Sequence, residues 1–268
     1  MFYIRSLLTL TVSLLLLPSS AFATSIVAVR NNDEIVIGAD SKTTLTQVYE
    51  NVREPEGVVK CKIVQAGRLF FASAGSAGIG PVALRGHIDP EFNVKELIAR
   101  GLGGEGKIGE KVRRLEKVIV LNLTQIAEKV RQDNPAFFFQ RFVSYPAHTI
   151  IIAGLEDEKL ILMVRTFRLV VEPSGSFSFE IGRFACPGDC RESFITIFEG
   201  RTEAIRRYLH GNENFLYYTD PAVAVRDLVE MEISDDPSAV GPPVDILRLT
   251  RRGAEWIQRK SLCPDIQN

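Results

Sequence analysis

Thr24-Ser-Ile-Val-Ala-Val29 and Glu34-Ile-Val-Ile-Gly-Ala-Asp40, separated by Asn31-Asn32-Asp33, decide how this chain reads. Both flanks are rich in β-branched residues, and the trio between them is turn chemistry, so the stretch predicts a β-hairpin. Working outward, Lys60–Gln65 and Leu69–Ser73 around Ala66-Gly67-Arg68 predict a second hairpin. These four strands are expected to form one antiparallel sheet. Helical periodicity follows from about Ser76 toward Leu97 and from about Lys111 to Gln132, where Val112, Leu115, Val118, Ile119, Ile126 and Val130 recur at steps near 3.6 residues. A second strand set is read at Thr149–Ala153, Leu160–Arg165, Arg168–Val171 and Ser176–Ile181. Helices are then expected over Glu192–Leu209 and Ala222 to about Glu232, the latter with Asp220 as N-cap and Pro221 at its first position. Val244–Thr250 and Gly253–Ile257 close the chain as a last hairpin. The order predicts an α+β fold of two antiparallel sheets, each carrying a helical layer, in one domain over residues 24–268.

Residues 1–23 read as an export signal. Arg5 precedes an apolar run from Ser6 to Leu17, Pro18-Ser-Ser20 breaks it, and Ala21-Phe-Ala23 supplies a cleavage site. The run is too short to span a bilayer, which takes about 20 residues. Cleavage after Ala23 predicts a periplasmic or secreted protein with no membrane attachment. In an oxidising compartment Cys61, Cys186, Cys190 and Cys263 could pair; Cys186–Cys190 with Cys61–Cys263 is one of three connectivities, and free buried thiols are the alternative.

Composition removes several classes of function. The 268 residues carry 32 Lys and Arg against 33 Asp and Glu, a net charge of −1, which argues against nucleic-acid binding through bulk charge. His87, His148 and His210 are scattered, so no His-built metal site is expected. Gly101, Gly103 and Gly106 match GxGxxG but follow a helical stretch, whereas a dinucleotide fingerprint needs a preceding strand. They predict a helix–helix connector. No cofactor is implied.

The new N-terminus is the chemical signal. Signal cleavage would give Thr24 a free α-amine beside its own hydroxyl. An α-amine has a pKa near 8, so much of it is neutral base at physiological pH, and a threonine activated by its own amine needs no histidine. Around it, Thr24–Val29 with Ile35-Val-Ile-Gly-Ala-Asp40-Ser-Lys-Thr-Thr44, Lys62-Ile63, Ala72-Ser-Ala-Gly-Ser-Ala77, Ile151-Ile-Ala-Gly-Leu155, Pro173-Ser-Gly175 and Val244-Asp-Ile-Leu247 stand in the order and spacing of a known group. The chain resembles the active β-type subunits of the proteasome family, N-terminal nucleophile hydrolases, from Thr24 to about Gly253.

The resemblance implies a four-layer αββα sandwich and a set of roles. Thr24 is nucleophile and, through its amine, general base. Asp40 pairs with Lys62, whose ammonium favours the neutral amine and stabilises developing negative charge. The Gly75 N–H donates to the tetrahedral intermediate. Thr44 aligns an extended substrate, and Ser73 sits near the wall of the side-chain pocket. From the residues alone, Lys60 and Lys42 are alternative lysines. The family's late Asp-x-x-Ser motif is matched by Asp235-Asp-Pro-Ser238, with Asp235 or Asp236 in the first role and Ser238 in the second, but Ala239-Val240 and Pro242 depart from the Gly-Gly that follows it. The family's Gly-Ser-Gly loop aligns with Cys186-Pro-Gly-Asp-Cys190, which lacks the serine. The expected function is an exported threonine-type hydrolase of peptide bonds acting on short or unfolded peptides and assembled as a homo-oligomer. Alternatives are an amidase or acylase for small acyl amides, or an inactive assembly or binding protein.

Overall fold

A computed structural model describes residues 24–42, 61–75, 94–143, 145–190 and 194–266. The expected signal segment, Thr44, Lys60 and the start of the expected first helix lie outside them.

The opening hairpin forms as read. β1 (Ser25–Arg30) and β2 (Glu34–Ala39) pair antiparallel, with Ile26 opposite Ala39 and Arg30 opposite Ile35. The Asn31 side chain accepts from the backbone N–H groups of Asp33 and Glu34 at 2.8 and 2.9 Å, which holds the turn. All six residues of β1 are buried, because both faces of its sheet are covered. β3 (Ile63–Ala66) and β4 (Leu69–Gly75) form the second hairpin, but in a different sheet. Four consecutive strands joined by turns read locally as one meander. No local pattern says which sheet each hairpin joins.

α1 (Val94–Leu102) and α2 (Ile108–Asp133) follow, joined by the glycine-rich connector, where Gly104 and Gly106 take φ of +73° and +111°. α3 (Pro135–Phe138) and a π-turn over Phe139–Val143 lead to β5 (His148–Glu156), β6 (Lys159–Val171) and β7 (Phe177–Cys186). β6 is one strand of 13 residues, not two; Thr166-Phe167 continues the ladder to both β5 and β7.

A further correction concerns the expected helix over Glu192–Leu209. Its first half is β8 (Ile195–Gly200), and only then does α4 (Glu203–Gly211) begin. Ile195, Thr196 and Ile197 suit a strand, and the edge of β1 supplies the partner, in register from Ser25 with Gly200 to Arg30 with Ile195. α5 (Phe215–Tyr218), α6 (Pro221–Asp235), β9 (Asp245–Thr250) and β10 (Gly253–Gln258) complete the chain. The Asp220 carboxylate accepts from the Ala222 and Val223 N–H groups, and Pro221 leads α6, as read.

The fold is α+β, with two open five-stranded antiparallel sheets ordered β10-β9-β2-β1-β8 and β3-β4-β5-β6-β7. Three apolar clusters hold it. Ile26, Ala28, Ile35, Ile37 and Leu247 of the first sheet meet Phe70, Ala72, Ile151 and Leu162 of the second. Val27, Val29 and Val36, on the opposite face, pack with Val225, Leu228 and Val229 of α6. Phe71, Ile150, Ile152 and Phe167 of the second sheet pack with Leu97 and Ile98 of α1 and with Leu115, Ile119 and Leu123 of α2. Period-two alternation thus sends each strand's side chains into two different apolar layers.

Candidate active site

Thr24 precedes β1, and the hairpin register decides what stands beside it. Pairing Ile26 with Ala39 brings Asp40 to the level of Ser25: the Ser25 N–H donates to Asp40 Oδ1 at 3.0 Å and the Asp40 N–H to the Ser25 carbonyl at 3.2 Å. Asp40 Oδ2 accepts from the N–H groups of Lys42 and Gly241 at 3.0 and 3.1 Å. The carboxylate is fully buried. Such a group is tolerable only because backbone donors and a cation surround it.

The cation is Lys62, which enters from the second sheet just ahead of β3. Its Nζ lies 2.7 Å from Asp40 Oδ1 and 2.8 Å from Thr24 Oγ1. Burial pushes the Lys62 ammonium down to about 8; the Asp40 charge and hydrogen bond oppose that, and Lys260 adds to it. Lys42, the alternative on β2's exit, sends its ammonium elsewhere, to the Pro237 carbonyl at 2.7 Å.

Gly75 ends β4 with φ of +114°, and a Cβ there would stand 2.7 Å from the Ala147 carbonyl oxygen and 2.8 Å from His148 Cα. Only glycine fits. Ser73 is buried two residues earlier, on the side of β4 that Phe71 turns toward the helices.

The late motif resolves between its two aspartates. Asp235 is exposed and pairs with Arg207 at 2.6 Å, away from the site. Asp236 accepts from the Ser238 hydroxyl and the Ala239 N–H, and its Oδ2 meets Arg201 at 2.5 Å. These donors, Ser238 first, hold its carboxyl below the usual aspartate range. Arg201 in turn donates its backbone N–H to the Thr24 carbonyl at 2.7 Å. Asp236, with Ser238, is therefore the member of the motif linked to Thr24, and Asp235 is not. Ser238 itself is exposed.

The loop expected to stand in for Gly-Ser-Gly is elsewhere. Cys186–Cys190 closes the end of β7, the outer strand of the second sheet. The residues alongside Thr24 are instead Gly200 and Arg201. Gly200 has φ of +85°, and a Cβ on it would fall 1.9 Å from the Thr24 carbonyl oxygen. Reading Glu192–Leu209 as helix conceals this approach; the Glu199-Gly200-Arg201 break after an alternating run is the available signal. Gly241 likewise stands in the stretch that departs from the family pattern, yet its N–H feeds Asp40.

The other bridge of that connectivity, Cys61–Cys263, one of the pairings left open by the sequence, also forms, with Cα atoms 5.6 Å apart. Among the described residues no cluster of His, Cys, Asp and Glu suits a metal ion, and no helix is long and apolar enough to cross a membrane. Compared with known proteins, the chain matches no family model and no curated protein.

Proposed function

We propose that the protein is a threonine-type N-terminal nucleophile hydrolase that cleaves amide bonds, with peptides as its substrates, and that its two sheets and their helices are the four-layer αββα sandwich of that class. One observation carries the reading. The Lys62 ammonium bridges the Thr24 hydroxyl and a buried Asp40 carboxylate, at 2.8 and 2.7 Å, on the residue that signal cleavage would expose.

The chemistry follows from these groups. The neutral α-amine of Thr24 takes the hydroxyl proton as Oγ1 attacks the scissile carbonyl carbon. The Lys62 charge favours the unprotonated amine and stabilises the developing alkoxide, and the Gly75 N–H donates to the tetrahedral oxygen. Collapse expels the leaving amine, which takes the proton from the Thr24 ammonium, and leaves an ester on Oγ1. Water, deprotonated by the same amine, attacks the ester, and the acid departs with Oγ1 reprotonated. Asp40 keeps Lys62 in place, and the Asp236–Arg201 pair holds the backbone from which the nucleophile projects.

Two disulfides accord with export to an oxidising compartment. There the enzyme would meet short or already unfolded peptides, and by its resemblance it would work as a homo-oligomer. The test is intact-mass analysis of the exported protein with and without a threonine-directed epoxyketone. The expected result is a chain beginning at Thr24 and one adduct that Thr24→Ala abolishes. A different first residue, or no adduct, overturns the proposal. Peptide and acyl-amide libraries then fix the substrate.

A further inference from the structure

β10 does not end in a loose tail. Its register shifts between Trp256 and Gln258, and the chain turns back as a strap from Arg259 to Ile266, with Ile266 packed against the apolar layer between the sheets. The strap carries Lys260 into the interior. The Lys260 Nζ lies 2.5 Å from Asp245 Oδ2, and its backbone N–H donates to Asp245 Oδ1 at 3.0 Å; both residues are buried. Asp245 starts β9 directly across from Ala39, the residue before Asp40. Three residues beyond Lys260, Cys263 is bonded to Cys61, the residue before Lys62. The Cys263 N–H donates to the Lys260 carbonyl at 3.0 Å, so the bridge and the lysine belong to one turn.

Two buried Lys–Asp pairs therefore stand side by side, one from each end of the same covalent link. An ordinary structural pair would need neither the adjacency nor the bridge. We propose that Lys260 is a positioning residue of the Thr24 site, set in place by Asp245 and the Cys61–Cys263 bridge and acting through Lys62. Its charge works against that of Lys62. Among the described residues, the groups near Lys62 include Thr24 from the start of β1, Asp40 from the end of β2, Asp245 from β9, Lys260 from the strap, and Lys95 of α1, whose ammonium donates to the Cys61 carbonyl, while the Lys42 ammonium turns to the Pro237 carbonyl. In this set Lys260 is the group that oxidation fastens. The bridge thereby makes the proton affinity of Lys62 depend on folding in an oxidising compartment.

The catalytic meaning rests on the threonine-hydrolase reading, but the effect on Lys62 is measurable without turnover. The experiment is ¹⁵N-lysine NMR of the processed, oxidised protein, with the Lys62 signal assigned by its loss in Lys62→Arg. In Lys260→Met, and in the Cys61→Ser, Cys263→Ser double variant, the Lys62 midpoint should rise enough to cut its neutral fraction at pH 8 roughly threefold. Lys260→Arg should restore it. If Lys260→Met does not fold, Lys260→Gln, which removes the charge but keeps a donor for Asp245, is read in the same way. A folded variant that titrates like the parent, or an arginine that fails to restore, overturns the proposal. A shifted Lys62 in a protein without turnover or adduct refutes only the hydrolase reading; turnover with an unmoved Lys62 refutes only this one.

Discussion

At the scale of the residue, the site depends on two protons in the same range. A free α-amine has a reference pKa near 8, and burial brings Lys62 to about 8. The proposed reaction needs the amine neutral and the lysine charged, so kcat/KM should rise from pH 6 as the amine deprotonates and fall on the alkaline side as Lys62 does. The two apparent values belong to the pair. A rate that stays level from pH 7 to 10 would rule out this division of labour. The same shift has a sign in stability. Lys62 holds its proton less firmly in the folded chain than in the unfolded one, so its contribution makes the fold more stable as pH rises from about 8 toward the unfolded value of 10.5. Asp40 makes a sharper case. Its oxygens accept from three backbone N–H groups and from Lys62, leaving no place for a donor. Asp40→Asn should abolish activity and lower stability by about 3–5 kcal/mol, the usual cost of leaving one member of a buried pair alone. Denaturant titration checks it, and a loss under about 1 kcal/mol would mean the pair is not closed in solution. Thr24, Asp40, Lys62 and Gly75 can be named from the sequence only through the family resemblance that several separate stretches carry together, and the structure brings Thr24, Asp40 and Lys62 into contact.

At the scale of the element, the junction of β1 with β8 positions Thr24, the proposed nucleophile. The first sheet delivers Thr24 only because β8 stops at Gly200, where the backbone passes within a Cβ's reach of the Thr24 carbonyl. Gly200→Ala puts a methyl group 1.9 Å from that oxygen at a positive φ, so the strand end must move. The expected outcome is a loss of roughly tenfold or more in kcat, since a misplacement of 1 Å can cost about 100-fold. The β1–β2 hairpin and the circular dichroism spectrum should stay unchanged. Full activity in the alanine variant would show that this contact does not position Thr24. The sequence hides this junction for a physical reason. Phe194 to Leu209 carries apolar residues that fit a helical stripe as well as an alternating strand, and what selects the strand at 195–200 is the edge of β1, about 170 residues away. β6 reads as two strands for the converse reason, a break at Thr166-Phe167 between the charged Arg165 and Arg168. Arg165 is in fact buried against Glu116 of α2 at 2.7 Å. Helices α2 and α6 are legible because their periodicity and the Asp220-Pro221 start are local signals.

At the scale of the whole molecule, the alternation of strand pairs and helix pairs is legible in the chain, and which hairpin joins which sheet is not. β2 and β3 are consecutive strands but go to opposite sheets, and Ile37 of the one and Ile63 of the other both enter the apolar layer between the sheets. The same long-range geometry separates the two disulfides, which look alike in composition and differ in what they constrain. Cys186–Cys190 spans 4 residues within one strand end, whereas Cys61–Cys263 spans 202 and ties the chain's last segment to the residue before Lys62. Loop-closure entropy grows with the logarithm of the loop, so the long bridge should contribute about 5 kcal/mol to the oxidised protein and the short one about 2. Replacing each pair by serine and measuring unfolding in guanidinium should reproduce that order. The denatured state of the Cys61→Ser, Cys263→Ser protein should also be more expanded, giving a larger m-value, whereas Cys186→Ser, Cys190→Ser should leave m nearly unchanged. Equal losses and equal m-values from the two replacements would mean that the strap is held by Lys260, Asp245 and the packing of Ile266, with the covalent link adding nothing to the closure of the fold.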